Sequence, residues 1–185
     1  MSLEHAILGF LNYRPLTGYD LKKIFDTSVR HFWQADQSQI YRTLNRLADE
    51  GLAEMETVEQ TDRPDRKVYH ITEHGKEELQ QWLRIPQPPE RPRVAALIQI
   101  FFAGQLSDEE VLTIVENAAN KVRAGLTQYD LIPEDMEAYS EYMQSPREFA
   151  FWMLTLEAGK TSARAHLEWM ESVIERIQQG KIPSE

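Results

Sequence analysis

The chain has 185 residues, with 30 acids against 20 bases, a net charge of −10 and no cysteine. Without cysteine there is no disulfide framework, no thiolate nucleophile and no cysteine-based zinc site; the acidic total argues against bulk, non-specific adhesion to nucleic acid. Apolar residues make up 42% and the mean hydropathy is −0.52, composition that supports a packed core in one large domain or two small ones. The longest nearly uncharged apolar run, Val94 to Gly104, is too short to span a bilayer. The first residues, Met1-Ser2-Leu3-Glu4-His5, lack the basic stretch and long apolar core of a secretory signal. A cytoplasmic location is therefore expected, and the cysteine-free composition fits it.

Residues 86–92 read Pro-Gln-Pro-Pro-Glu-Arg-Pro and hold four of the nine prolines. Proline lacks an N–H and restricts the residue before it, so this stretch reads as an extended linker between residues 1–85 and 93–185. Eleven basic and fourteen acidic residues precede residue 86, against nine and sixteen from there on. Most of the negative charge thus lies beyond the first module.

Leu3, Ile7, Leu8 and Leu11 recur at helical spacing and predict a first helix, ended by Asn12-Tyr13-Arg14-Pro15. Thr17 to Asp20 has the form of a capping box opening a second helix with Leu21, Ile24 and Phe25 inward. Asp36 or Ser38 caps a third helix that runs to Glu50 and stops at Gly51. Its apolar stripe is Ile40, Leu44 and Leu47; its other face is expected to carry Gln37, Gln39, Arg42, Thr43, Asn45 and Arg46, with no acid from Gln37 to Arg46. Two strands follow, Leu52 to Glu59 and Lys67 to Ile71, around a tip at residues 60–66 with two arginines. Ala53, Met55 and Thr57 share one strand face. Thr72 or Glu73 opens a fourth helix with Leu79, Trp82 and Leu83 inward.

Three helices and a two-stranded hairpin in this order read as a winged helix-turn-helix. Asn and Gln can read adenine edges, and Arg reads guanine or pairs with phosphate. A merely solvated helix would more often carry Glu and Lys in i,i+4 pairs. The candidate DNA-binding residues are Gln37, Ser38, Gln39, Tyr41, Arg42, Asn45 and Arg46 on the third helix. Lys22 and Lys23 on the second helix and Arg63, Arg66 and Lys67 in the wing join them, for phosphate or groove contact. Tyr41 either touches phosphate or packs beneath Leu44.

Four segments carry a family resemblance: Gly18-Tyr19-Asp20-Leu21; Ser38 to Leu47, with Ile40-Tyr41 and spaced leucines; Glu50-Gly51-Leu52; and Arg66 to Gly75, with Tyr69-His70-Ile71-Thr72 before Gly75. Together they resemble the PadR-like transcriptional regulators over the first 85 residues. The remainder is similar to the helical C-terminal domain of the virulence-activator-like branch. The resemblance implies a homodimeric regulator, usually a repressor, on a palindromic operator. It also implies responsiveness to phenolic acids or flat aromatic drugs. A small aromatic effector site near an interdomain or dimer interface would then have Trp33, Trp82, Trp152 and Trp169 available to stack, although aromatics at helical spacing also serve as core.

The C-terminal part is expected to be helical. Val94, Leu97, Ile98, Phe101 and Phe102 form an apolar helix ending at Gly104. Ser107 to Glu110 is a capping box for a long helix to about Leu131, carrying Val111, Val115, Ala118, Val122 and Tyr129. Pro133 is expected to open a separate short helix with Met136, Tyr139 and Met143. Ser145-Pro146-Arg147-Glu148 starts the last helix. There, Phe149, Met153, Leu156, Lys160, Ala163, Leu167, Met170, Ile174 and Ile177 follow steps of four and three, a heptad seam broken once by Lys160. Trp152, Gly159, His166 and Val173 widen that face. Phe149, Met153, Leu156, Leu167, Met170, Ile174 and Ile177 are the candidate dimerisation residues, since a dimer presents two recognition helices to one duplex; burial within one chain is the plainer alternative. Gly159 and Lys160 mark either a register device or a helix crossing.

The fold class is thus mainly α, a winged helix-turn-helix with a C-terminal helical dimerisation domain. The expected function is sequence-specific DNA binding without cofactor, metal or enzymatic chemistry. His70 and His74 have a metal-like spacing but straddle a strand end and a helix start, and hydrolase, zinc-protease and nucleotide-loop motifs are missing. A winged-helix protein-interaction module is the rival reading, because a dimer would carry about −20. That rival expects Arg42, Arg46, Arg66 and Lys67 not to converge.

Overall fold

The computed structural model describes residues 2–29, 32–59, 65–88, 94–137 and 145–183. Two compact units are formed: Met1–Gln87 with Glu134–Phe151, and Pro88–Pro133 with Trp152–Glu185.

In the first unit, α1 spans Ser2–Tyr13, α2 Gly18–Ile24 and α3 Gln37–Asp49. The starts of α2 and α3 have local chemical causes. At α2 the Thr17 hydroxyl accepts from the Asp20 N–H at 3.1 Å and the Thr17 N–H donates to the Asp20 carboxylate at 3.1 Å, a reciprocal capping box. At α3 Asp36, rather than Ser38, is the cap: its carboxylate accepts from the Gln39 N–H at 2.7 Å. The α2 segment runs into a single π turn, Phe25–Val29, and α3 ends before Gly51, whose φ of 71° suits glycine.

Ile40, Leu44 and Leu47 are fully buried, together with Ile7, Leu8 and Leu21. Burial of each such side chain is worth about 1.5–3 kcal/mol, so the α3 stripe fixes which face looks outward. Thr43 corrects the sequence expectation: it is buried rather than on the polar face. It lies three residues after Ile40 and four before Leu47, which puts it at the margin of the apolar stripe.

The wing is the antiparallel pair β1 (Ala53–Val58) and β2 (Arg66–Ile71), in register from Ala53↔Ile71 to Val58↔Arg66. Of the Ala53, Met55 and Thr57 face only Ala53 is buried. Sequence reasoning missed a third contribution: Leu16 bridges Tyr69 through two backbone hydrogen bonds, 3.1 and 2.9 Å. This ties the segment before α2 to the base of the wing. Helix α4, Glu73–Arg84, is capped by Thr72. Its Leu79 is buried and Trp82 stacks on His5 at 4.5 Å, but Leu83, expected inward, is two-thirds exposed. It lies in the last turn, where Trp82 closes the covered face.

In the second unit, α5 is Ala95–Phe101, followed by a 3₁₀ turn at Ala103–Gln105. Helix α6 is Asp108–Glu137, opened by the expected Ser107–Glu110 box. It continues through Pro133, so the separate short helix expected there does not form; Met136 lies within α6, and Tyr139 and Met143 lie outside the described residues. Proline forfeits one helical N–H, a loss the neighbouring turns tolerate near a helix end. Helix α7, Pro146–Gln178, starts where Ser145-Pro146 predicts, with the Glu148 N–H on the Ser145 hydroxyl at 3.3 Å. Val115, Ala119 and Met170 form a core between α6 and α7, against which Ile100, Val111, Leu167 and Ile174 pack. Leu167, Met170 and Ile174 are thus engaged within one chain, and Leu156 and Ile177 are buried there too, so five of the seven candidate dimerisation residues correct the sequence expectation in favour of burial within one chain.

Candidate nucleic-acid interface

The exposed face of α3 carries Gln37, Ser38, Gln39, Arg42, Asn45 and Arg46. Their freedom differs. Ser38 donates to Asp36 at 2.7 Å and Gln39 accepts from the Asp36 N–H at 3.0 Å, so both side chains serve the cap. The Asp36 carboxyl is held below its ordinary value by hydrogen bonds from the Ser38 hydroxyl and the Gln39 N–H, and Arg42 adds attraction. Arg42 forms no hydrogen bond or ion pair with a described residue. Asn45 accepts from the Tyr69 hydroxyl at 3.2 Å, which occupies one of the two groups needed for bidentate adenine recognition and leaves the amide hydrogens. Burial pushes the Tyr69 phenol above its ordinary value, with Tyr41 adding to the shift, so it remains a donor.

Tyr41 is half-buried and its ring lies against α2: a Cβ added at Gly18 would meet it at 2.5 Å. Gly75 is as tightly placed, with the Leu52 carbonyl oxygen 2.1 Å from where a Cβ would stand. The Gly-Tyr opening and the Thr-x-x-Gly ending of the recognised pattern are therefore packing requirements.

The wing is tied to α2 and α3 by side chains. The Arg66 guanidinium donates to Asp20 at 2.8 Å, and Tyr69 reaches Asn45. Burial opposes ionisation of Asp20, but the Thr17 hydroxyl and N–H and the Arg66 guanidinium outweigh it and hold the carboxyl below its usual range. Arg46 pairs with Glu4 of α1, and Lys22 with Asp26. Lys23 and Lys67 are exposed and make no ion pair with a described residue. Arg63 lies outside the described residues.

A hollow of about 290 Å³ is lined by Glu4, His5, Leu8, Glu50, Leu52, His74 and Glu78. Two of its acids are committed, Glu4 to Arg46 and Glu78 to His5 at 3.2 Å. His70 pairs with Glu56 at 3.0 Å, and no group of three His, Asp or Glu side chains able to hold a metal occurs among the described residues. No described helix is long and apolar enough to cross a membrane.

Fold and site together define a winged helix-turn-helix regulator with a helical C-terminal region. Residues 7–81 match the model of the transcriptional regulator PadR-like family, and residues 92–178 that of the virulence activator alpha C-terminal domain. The negative transcriptional regulator PadR of Bacillus subtilis is 32% identical over 177 residues, 95% of this chain and 97% of that protein. The crystal structure of Bacillus subtilis PadR in complex with operator DNA is similar with a TM-score of 0.80 at 30% identity, covering 96% of this chain and 99% of that one. The crystal structure of the same protein with p-coumaric acid gives 0.74 at 31% identity, covering 95% of each. The chain belongs to the PadR-like family of transcriptional regulators.

Proposed function

We propose that the protein is a homodimeric, sequence-specific DNA-binding repressor that recognises an inverted-repeat operator by binding alone, without catalysis. The observation that carries this reading is the exposed, acid-free face that α3 presents between Gln37 and Arg46, next to a wing whose Tyr69 reaches Asn45. Arg42, Asn45 and Arg46 supply base or phosphate contacts, and Lys67, Lys22, Lys23 and Arg63 supply phosphate contacts. Repression follows the Bacillus subtilis relative, a negative regulator whose structure with operator DNA is similar to this chain. A cytoplasmic location suits the cysteine-free composition.

A second copy is supported by apolar surface. Leu97, Ile98, Phe101 and Phe102 are exposed on and just after α5 in the single chain, Phe101 by 80%, and such surface marks association. Of the remaining seam residues, Phe149 and Met153 are partly exposed and add to it, whereas Leu156 and Ile177 are buried in the single chain. One winged helix has a small footprint, which doubling by symmetry enlarges. A small aromatic effector is the further element of this reading, after the p-coumaric acid complex of the Bacillus subtilis protein.

Selection of bound duplexes from a random library tests the proposal. Enrichment of an inverted repeat is expected. Recovery of no preferred sequence would leave the winged helix as a protein-interaction module.

A further inference from the structure

Three of the cations assigned to the DNA face are held by acids of the same unit: Arg46 by Glu4, Arg66 by Asp20 at 2.8 Å, and Lys22 by Asp26. Two of these acids come from a different element than the base they hold. Glu4 belongs to α1, reaches across to α3, and is itself mostly buried, whereas Arg46 is half exposed. Asp20 belongs to α2 and reaches the first residue of β2. These are not i,i+4 pairs that decorate a helix surface.

We infer that Glu4 and Asp20 are specificity-determining residues, acids that occupy Arg46 and Arg66 in the free protein and so suppress their engagement with phosphates of arbitrary sequence. The inference rests on the DNA-binding reading above. Any duplex offers phosphates, and a free arginine takes one with release of counterions. An arginine already paired must exchange one anion for another. The exchange is favourable only where the rest of the interface has docked and placed a phosphate or base edge against the guanidinium. Random DNA does not supply that alignment, whereas the operator does. Arg42 and Lys67, unpaired among the described residues, remain available for first encounter.

The test compares Glu4→Gln and Asp20→Asn with the parent chain on the selected operator duplex and on a scrambled duplex, over a range of salt. Glu157→Gln, an exposed acid of α7, removes the same charge elsewhere. Breaking a partly exposed pair is expected to raise scrambled-duplex affinity about twofold to fivefold per protomer. The plot of log affinity against log salt steepens by up to about 0.9 per arginine released. Operator affinity rises less, so the specificity ratio falls. In an Arg46→Ala background Glu4→Gln has no further effect. Thermal melts establish that each variant is folded; Asp20 also serves the α2 cap, so Glu4→Gln, in the first turn of α1, decides if Asp20→Asn is unstable. Unchanged scrambled-duplex affinity, a rise matched by Glu157→Gln, or a rise that survives Arg46→Ala would each overturn the inference. Failure of the parent chain to bind any duplex would instead overturn the DNA-binding reading.

Discussion

The ring of Tyr41 lies against the bare Cα of Gly18, so close that a methyl group there would stand 2.5 Å from a ring carbon. This contact sets the distance between α2 and α3, the two helices of the helix-turn-helix. Gly18→Ala must push the ring or the helix aside, and overpacking of this kind costs about 1–3 kcal/mol. The double variant Gly18→Ala/Tyr41→Leu is expected to regain part of that loss, since the smaller side chain vacates the space. Urea denaturation of the single and double variants measures the coupling; strictly additive losses would mean that the ring is not what excludes the methyl.

Arg42→Ala and Asn45→Ala are expected to weaken operator binding by about 1–3 kcal/mol each. Both side chains are exposed, off the Ile40, Leu44 and Leu47 stripe. The two variants differ in one respect: Asn45→Ala also leaves the buried Tyr69 without its acceptor, so it lowers stability as well, while Arg42→Ala does not. Binding isotherms alongside thermal melts separate the effects. Undiminished operator affinity in both folded variants would remove the base-reading role of α3.

The pH dependence of stability has a definite sign at Asp20. Its carboxyl titrates below its ordinary value in the folded chain, despite burial, because Thr17 and Arg66 favour the charged form. A depressed folded pKa contributes stability that is present above the unfolded value, about 3.9, and is lost as pH falls through the folded one. Asp20→Asn is therefore expected to destabilise the protein near neutrality and to flatten the acid limb of the stability curve below about pH 4. Parallel acid limbs for the two proteins would show that the Thr17 and Arg66 contacts do not favour the carboxylate.

Truncation after Pro92 removes α5, α6 and α7. The shortened chain is expected to sediment as a monomer and to bind the operator poorly, because the apolar α5 surface and the α7 seam go with it. A dimeric fragment would place the interface in the winged helix.

Much of this architecture was legible because its signals are local. The Thr17–Asp20 and Ser107–Glu110 boxes, the Gly51 stop and the Ser145-Pro146 start each act within one turn of chain. What escaped notice depends on residues distant in sequence. The Leu16–Tyr69 bridge is a single pair without periodicity, and the Arg46–Glu4 pair spans α1 to α3. Pro133 misled because its helix-ending tendency is statistical, and α6 carries it in its last turns. Leu83 follows the correct spacing, but spacing does not reveal how far a neighbouring surface extends. For the candidate site, sequence reading supplied the residues of α3 but not their engagements: Gln39 and Ser38 serve the cap, and Asn45 answers Tyr69.

The most direct test of a sequence-specific dimer is a titration of the full chain on its selected inverted repeat and on a scrambled duplex at physiological salt. Two chains per operator duplex and a preference of at least about 10³ over the scrambled one are expected, with low random affinity because each chain carries a net charge of −10. Equal, tight binding to both duplexes would contradict sequence-specific recognition.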